Sequence, residues 1–504
     1  LFTKAFKGVI PITIVVGIGA ISARDSCPVF GVSTSYSEIN QYLGINQRER
    51  RNDKMLRDKE KRSSRRSLIA ASVAVAALLL SACSPGGSNK EDASDISGIS
   101  KEFSSEEKIN LILATWEDDS TVKALVEAFQ AKHPNVSIKI VASSFNDYLQ
   151  NVKLQMSSDE APDVVQAGQG YTMMGPLVQA GSMRPIDDYA KLYGWADRFG
   201  AGLLDQSRFE KDGKKFGTGD LYGVAMGGNM VGVFYNRAIL DKLKIKTPFA
   251  TLEDFQKALN AAQAAGYIPM GLGNLDAWPG NHTLSILISQ TCDNATLLSW
   301  IYGQAGADFS APCFLEATKI MEDWGKRKII DPKANGIGFD DAVARFAAGN
   351  VAFFVTGNWA LPLMAEKAGD GVGFTGFPPL KAGGPARATG ATTSPFGIGS
   401  ASKYPDVAAA FIDFMTGPDT ADIRATGKYA PLITTVEIPS QTKLIDEYYA
   451  HWKKVIAEDG LTLFLDWSSV GMGNVLFPAV QELLGGRVSS ADLVTRVQAE
   501  WAKR

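Results

Sequence analysis

Between residues 109 and 165 the apolar positions change period four times. Ile109 to Ala114 is a short apolar run of strand type, after which Val122, Leu125, Val126 and Phe129 recur at helical spacing until Pro134 closes the helix. Val136, Ile138 and Ile140 alternate with polar residues, Tyr148, Leu149, Val152 and Met156 mark a second helix, and Asp163-Val164-Val165 opens a third strand. The order βαβαβ predicts a largely parallel sheet covered by helices on both faces, and in such sheets ligands bind beyond the carboxyl ends of the strands. The loops over residues 115–120, 143–147 and 167–171 are therefore the first candidates for a site.

The pattern then becomes mixed. Leu221-Tyr222-Gly223-Val224 leads into Val231 to Asn236 as a pair of extended segments with Gly227 and Gly228 between them, which predicts a crossing from one lobe to another. Helical stretches follow around 252–265 and 284–330, residues 342–354 and 359–367 continue the second lobe, and 371–379 turns extended. Residues 389–398 read as loop and strand, 405–415 as an amphipathic helix, and the chain from 440 onward as mostly helical. An α/β fold of two lobes, each assembled from discontinuous pieces, is expected.

Upstream of this body the chain carries an address. Residues 55–83, MLRDKEKRSSRRSLIAASVAVAALLLSAC, place a basic stretch before an apolar run from Leu68 to Leu80 and then small residues, the order of a secretion signal. The run is shorter than the roughly 20 residues a membrane-spanning helix needs. Leu80-Ser81-Ala82-Cys83 looks like a bacterial lipobox, so lipidation of Cys83 and cleavage just before it are expected. Ser64-Arg65-Arg66-Ser67-Leu68 also resembles a twin-arginine export signal. Residues 1–54 start with Leu, precede a complete signal that opens on Met55, and are read as an extension outside the functional protein. Residues 83–107 have almost no apolar content and are expected to form a flexible tether.

Composition narrows the classes of function. With 51 basic and 54 acidic side chains the formal net charge is -3, so there is no global field to hold nucleic acid or an anionic membrane. His133, His282 and His451 are far apart and none stands in a metal-ligand pair, so no metal and no cofactor are expected. Cys292 and Cys313 lie within the folded body, and in the oxidising compartment that a secretion signal implies they are expected to form a disulfide.

Several short motifs, in order, carry a resemblance. They are Pro162-Asp163-Val164, Leu221-Tyr222-Gly223-Val224 with Tyr235-Asn236 downstream, and Thr251-Leu252-Glu253-Asp254-Phe255. Phe346 through Gly349 to Gly357-Asn358-Trp359 follows, then Gly376-Phe377-Pro378-Pro379, Gly397-Ile398 and Ser402-Lys403-Tyr404-Pro405. Together they resemble family 1 extracellular solute-binding proteins, the group that includes maltose-binding protein, over nearly the whole body. One departure is Leu252, where the family often has tryptophan. The resemblance implies a periplasmic-binding-protein-like fold with two lobes joined by a hinge, drawn here at 108–227 with 372–420 and at 228–371 with 421–504. It also implies a monomer outside the bacterial cytoplasmic membrane, held there by its lipid anchor only, that captures a sugar or oligosaccharide. The closed form would dock onto ABC permease subunits driven by a separate ATPase.

A sugar needs flat apolar surfaces for its C–H faces and hydrogen-bonding groups for its hydroxyls. The expected ligand residues are Trp116, Glu117 and Asp118 after the first strand, Asn146 after the second, and Gln169 and Tyr171 after the third. From the other lobe come Asp276, Trp278, Asn281 and His282, then Asn358 and Trp359, and Asp466 and Trp467, with Phe396 as a further wall. Trp359 is the leading candidate, because it follows a glycine-containing turn at a position that lines the site in the family.

Two other classes compete. Carboxylates and tryptophans in a cleft also suit a glycoside hydrolase, but nothing positions an acid and a base, and Gly371 to Gly376 matches GxGxxG only to run into Pro378-Pro379 instead of a helix. An iron-binding relative would use paired tyrosines such as Tyr448-Tyr449, yet that pair lies in an amphipathic helical pattern. A peptide ligand is a further alternative. No catalytic residue is expected.

Overall fold

The computed structural model of the chain describes residues 98–116, 120–199, 201–427, 430, 432, 440 and 442–504. The signal, Cys83 and the acidic residues Glu117 and Asp118 lie outside the described residues. Among those described, no helix is long and apolar enough to cross a membrane.

Strands β1 (Ile109–Thr115), β2 (Val136–Ala142) and β3 (Val164–Gln166) form the expected parallel sheet, in the order β2-β1-β3, with α1 (Ser120–Lys132) and α2 (Phe145–Gln155) as the crossovers. Ser144 starts α2, its hydroxyl accepting from the Asp147 amide at 3.3 Å. A short hairpin of β4 (Arg208–Phe209) and β5 (Asp220–Leu221) follows.

The chain then enters a second sheet through β6 (Gly228–Asn236), whose neighbours are β8 (Val351–Gly357) and, further out, β7 (Ile268–Gly271) in parallel with β8. Strands β9 (Val372–Thr375) and β10 (Ala388–Thr392) pair antiparallel with β6, and β12 (Leu461–Thr462) runs parallel to β10. Among the described residues, β11 (Phe396–Ile398) is the later strand that goes back to the first sheet, as an antiparallel edge on β3. The expected return to the first lobe at residue 372 therefore comes later, after β10, because β9 and β10 satisfy their backbone groups on β6. The GxGxxG match around Gly371 covers β9, a strand, as its proline-rich continuation suggested.

Two apolar clusters match the two sheets. Leu111, Leu113, Val122, Leu125 and Phe129 bury the first sheet against Trp195 and Phe411, while the larger cluster surrounds β6 and β8. The expected tether is shorter than residues 83–107. Ile99 and Phe103 pack against the first cluster, the Phe103 ring lies 5.0 Å from His133, and Asn135 Nδ2 donates to the carbonyls of Ser104 and Glu107. Two apolar anchors were enough to seat a segment whose composition is otherwise that of a linker.

Helix α3 (Trp278–Thr291) follows β7, and the Cys292–Cys313 disulfide joins its end to the start of α4 (Pro312–Lys326) with a Cα–Cα distance of 5.0 Å. Helix α5 (Phe339–Ala347) precedes β8, and α6 (Lys443–Ala457) packs on β9.

Candidate functional site

Five loops follow the carboxyl ends of β1, β2 and β3 in the first sheet and of β7 and β8 in the second, the positions where an open parallel sheet offers backbone and side chains to a ligand. The loop after β12 joins them. Together they bring aromatic rings into one continuous row. Trp116 sits 5.3 Å from Phe145, and Phe145 lies 6.3 Å from Trp278 of the other lobe. Trp278 is 6.2 Å from Trp359 and 4.9 Å from His282. His282 lies 4.5 Å from Phe464, which is 5.4 Å from Trp467, and Trp467 is 6.0 Å from Phe216.

Exposure divides this row. Trp116, Trp278 and Trp359 are half-buried, whereas Phe464, Trp467, Phe216 and Tyr171 are buried. Local backbone sets each half-buried ring. Trp278 follows a tight turn in which its amide donates to the Asp276 carbonyl at 2.8 Å, with Ala277 at a φ of 66°. The Trp359 ring folds over Gly357, where an added Cβ would stand 2.1 Å from it.

Polar atoms in the row are unevenly satisfied. His282 Nδ1 and Trp359 Nε1 are buried without a hydrogen-bond partner among the described residues, and the two rings are 5.1 Å apart. Burial pushes the His282 pKa down to about 3, so the imidazole is neutral at ordinary pH. Asp466 accepts from Asn281 Nδ2 at 2.7 Å and, on its other oxygen, from the Thr172 hydroxyl of the first lobe at 3.5 Å. Burial raises its pKa to about 6.

Other expected ligand residues are occupied elsewhere. Asn146 Nδ2 donates to Asp276 Oδ1 at 2.9 Å, joining the lobes at one rim of the cleft, and the other Asp276 oxygen accepts from the Phe339 amide. Gln169 is spent on the crossing strand, donating to the Thr392 carbonyl and accepting from the Ser394 hydroxyl. The Tyr171 hydroxyl donates to the Lys214 carbonyl and accepts from the Phe216 amide, so it anchors the β4–β5 hairpin rather than facing a ligand. That hairpin forms the other rim, its Phe216 stacked 5.5 Å from Tyr302 of the second lobe. Asn358 is buried and accepts from the Met230 amide. Phe396 is a correction: it is fully buried in β11, paired with Gln166, and walls no cleft.

Phe145, Phe464, Phe216 and Tyr302 belong to the row or its rims and were not expected, since an aromatic residue among apolar neighbours carries no mark of the cleft. Tyr448 and Tyr449 are buried in α6, with Tyr448 packed 5.2 Å from Phe374, and burial holds both phenols well above their usual pKa, the opposite of a metal ligand. No group of three or more metal-ligating side chains occurs among the described residues. Surface hollows at the hairpin tip, along Glu210, Lys211 and Asp212, and against Pro312 and Leu315 share no residue with the aromatic row.

Two sheets whose strand ends converge on an aromatic cleft, closed by contacts at both rims, define a two-lobed binding protein. Residues 114–422 match the profile of the bacterial extracellular solute-binding protein family, and the chain belongs to that family. It is thus a solute receptor of the kind that serves ABC importers, and not an enzyme. Among sequence relatives, the "Multiple sugar-binding protein" of Streptococcus mutans serotype c is 23% identical over 357 residues, 68% of this chain and 76% of that protein. Among solved structures, a chitin oligosaccharide binding protein is similar at a TM-score of 0.66 with 22% identity, over 79% of this chain and 98% of the other. The SBP RafE in complex with raffinose gives 0.62 with 19% identity, over 78% and 99%. At these identities the structural likeness speaks for the fold.

Proposed function

We propose that this receptor captures a sugar or oligosaccharide between its lobes and passes it to ABC permease subunits. The observation that carries the reading is the row of half-buried Trp116, Trp278 and Trp359 flanked by the unpartnered His282 Nδ1 and Trp359 Nε1. Flat rings take the C–H faces of a pyranose, and a hydroxyl, being donor and acceptor at once, satisfies both nitrogens. The names of the relatives, which speak of sugars, chitin oligosaccharide and raffinose, support the same ligand class. Contacts from both lobes favour the closed state, and only such differential affinity can shift a hinge equilibrium. Calorimetric titration with a panel of oligosaccharides tests the reading, and absence of heat from every one of them would reject it.

The protein acts as a monomer on the outer face of the cytoplasmic membrane, lipidated at Cys83. Mass spectrometry of the chain isolated from membranes should find an acylated Cys83 as the first residue; an unmodified cysteine or another start would remove the anchor. Glu117 and Asp118 stay in the proposed ligand set on the strength of their place directly after β1.

A further inference from the structure

Two glycines of the first lobe lie under side chains of the second. Gly170, at a φ of 61°, belongs to the loop after β3, and an added Cβ would stand 2.7 Å from the Trp467 ring. Gly217, at a φ of 81°, belongs to the β4–β5 hairpin, and an added Cβ would stand 2.6 Å from the Tyr302 ring. Of the described glycines with positive φ, these two have a side chain of the other lobe as their nearest neighbour. Backbone angle and lack of space both disfavour any larger residue there. The two contacts belong to one patch. The Phe216 ring stacks on Tyr302 at 5.5 Å with an interplanar angle of 22°, and stands edge-on to Trp467 at 6.0 Å and 84°. Tyr171, next to Gly170 in the chain, ties that loop to the hairpin: its hydroxyl donates to the Lys214 carbonyl and accepts from the Phe216 amide, each at 3.0 Å. The first lobe thus meets the rings of Trp467 and Tyr302 with one connected surface.

We infer that Tyr302 and Trp467 are positioning residues, which hold the lobes together by bearing on first-lobe backbone and so strengthen binding of every ligand by a common factor. A contact between the lobes adds to the closing equilibrium and nothing to the choice of ligand. Apparent affinity scales with the fraction of molecules in the competent form, whatever the cargo. Glycine suits the first-lobe side of such a contact, because backbone against a ring gives up no side-chain rotamers when the lobes meet. By this assignment Trp467, expected from the sequence to touch ligand, is a bearing instead. Only the choice of probes rests on the sugar reading above.

The test titrates the full mature chain with raffinose, stachyose and fragments of chitin and xylan, and carries forward the two sugars bound most tightly. Tyr302→Ala should weaken both by the same factor, about fivefold, as loss of one aromatic pair predicts. Tyr302→Phe, which keeps the stack, should bind as the parent does, and Trp467→Leu should again weaken both sugars equally. Phe216→Leu combined with Tyr302→Ala should cost about fivefold, not the roughly twenty-fivefold of independent effects, since both changes remove one contact. Tyr302→Leu replaces the alanine variant should that one fail to melt as a folded protein. Unchanged affinity in Tyr302→Ala, or independent effects in the double variant, would overturn the inference. Factors that differ about tenfold between the two sugars would do the same, by making the ring a ligand contact. Should the parent bind none of the sugars, the sugar reading falls and small-angle scattering without ligand decides the inference by itself. A larger radius of gyration in Tyr302→Ala than in the parent supports it, and an equal one overturns it.

Discussion

Trp359 occupies a position that only a neighbouring glycine permits. Its ring lies over Gly357 and stays half-buried against the edge of the larger apolar cluster. Trp359→Ala should weaken binding of the cognate sugar about thirtyfold or more, in line with loss of a buried aromatic anchor, while circular dichroism stays unchanged. Unaltered affinity in calorimetry would take Trp359 out of the site. Asp466 makes a different prediction. Its pKa in the folded chain is about 6, above the ordinary 3.8, so between those values the folded state keeps a proton that the unfolded state has released. The group therefore favours folding below about pH 4 and loses that contribution as pH rises through about 6. Asp466→Asn should accordingly gain stability relative to the parent chain as the pH goes from 4 to 7.5. Denaturation midpoints of the two proteins across that range check this, and a constant difference would contradict it.

At the scale of elements, the helix that presents Trp278 and His282 at its first turns is tied at its last turn by the Cys292–Cys313 disulfide, over a sequence separation of 21. Replacing both cysteines by serine should lower unfolding stability by about 3 kcal/mol, the loop-closure value for such a separation, as urea denaturation would read. Most elements of the first lobe were legible because each buries one face: the periods at Ile109, Val122 and Val136 lead directly to β1, α1 and β2. The strand ends, and with them the loops of the site, followed from the same pattern. The late return to the first sheet was not legible, since β9 and β10 choose β6 as partner through backbone hydrogen bonds, which leave little trace in side-chain type. Gln169 and Tyr171 illustrate a second limit. A polar or aromatic residue in a cleft loop is equally suited to hold a ligand or to hold its own scaffold, and here Thr392, Ser394 and Lys214 take up their bonding groups. Phe396 followed a polar loop, yet the strand pairing with Gln166 turned it into core.

At the scale of the whole described body, the two lobes meet at both rims, through the Asn146 to Asp276 hydrogen bond at one and Phe216 against Tyr302 at the other. Asn146 and Asp276 are 130 residues apart, and their meeting is a property of the two-lobed arrangement that neither local sequence contains. Removing an exposed hydrogen bond costs about 1 kcal/mol, so Asn146→Ala should shift the balance between closed and open forms about fivefold toward open. Small-angle scattering of the ligand-free variant should show the larger radius of gyration that follows; an unchanged profile would mean that the bond does not contribute to closure.

The β4–β5 hairpin gives the bridged cleft a kinetic meaning. Tyr171 fastens it to the first lobe, and its Phe216 reaches the second, so the hairpin bridges the lobes at one rim while Asn146 and Asp276 bridge them at the other. Escape then waits for the exits to part, and residence time becomes a property of the receptor's own breathing more than of the cargo's length. Such a timer suits a carrier that has to stay loaded until it meets its membrane partner.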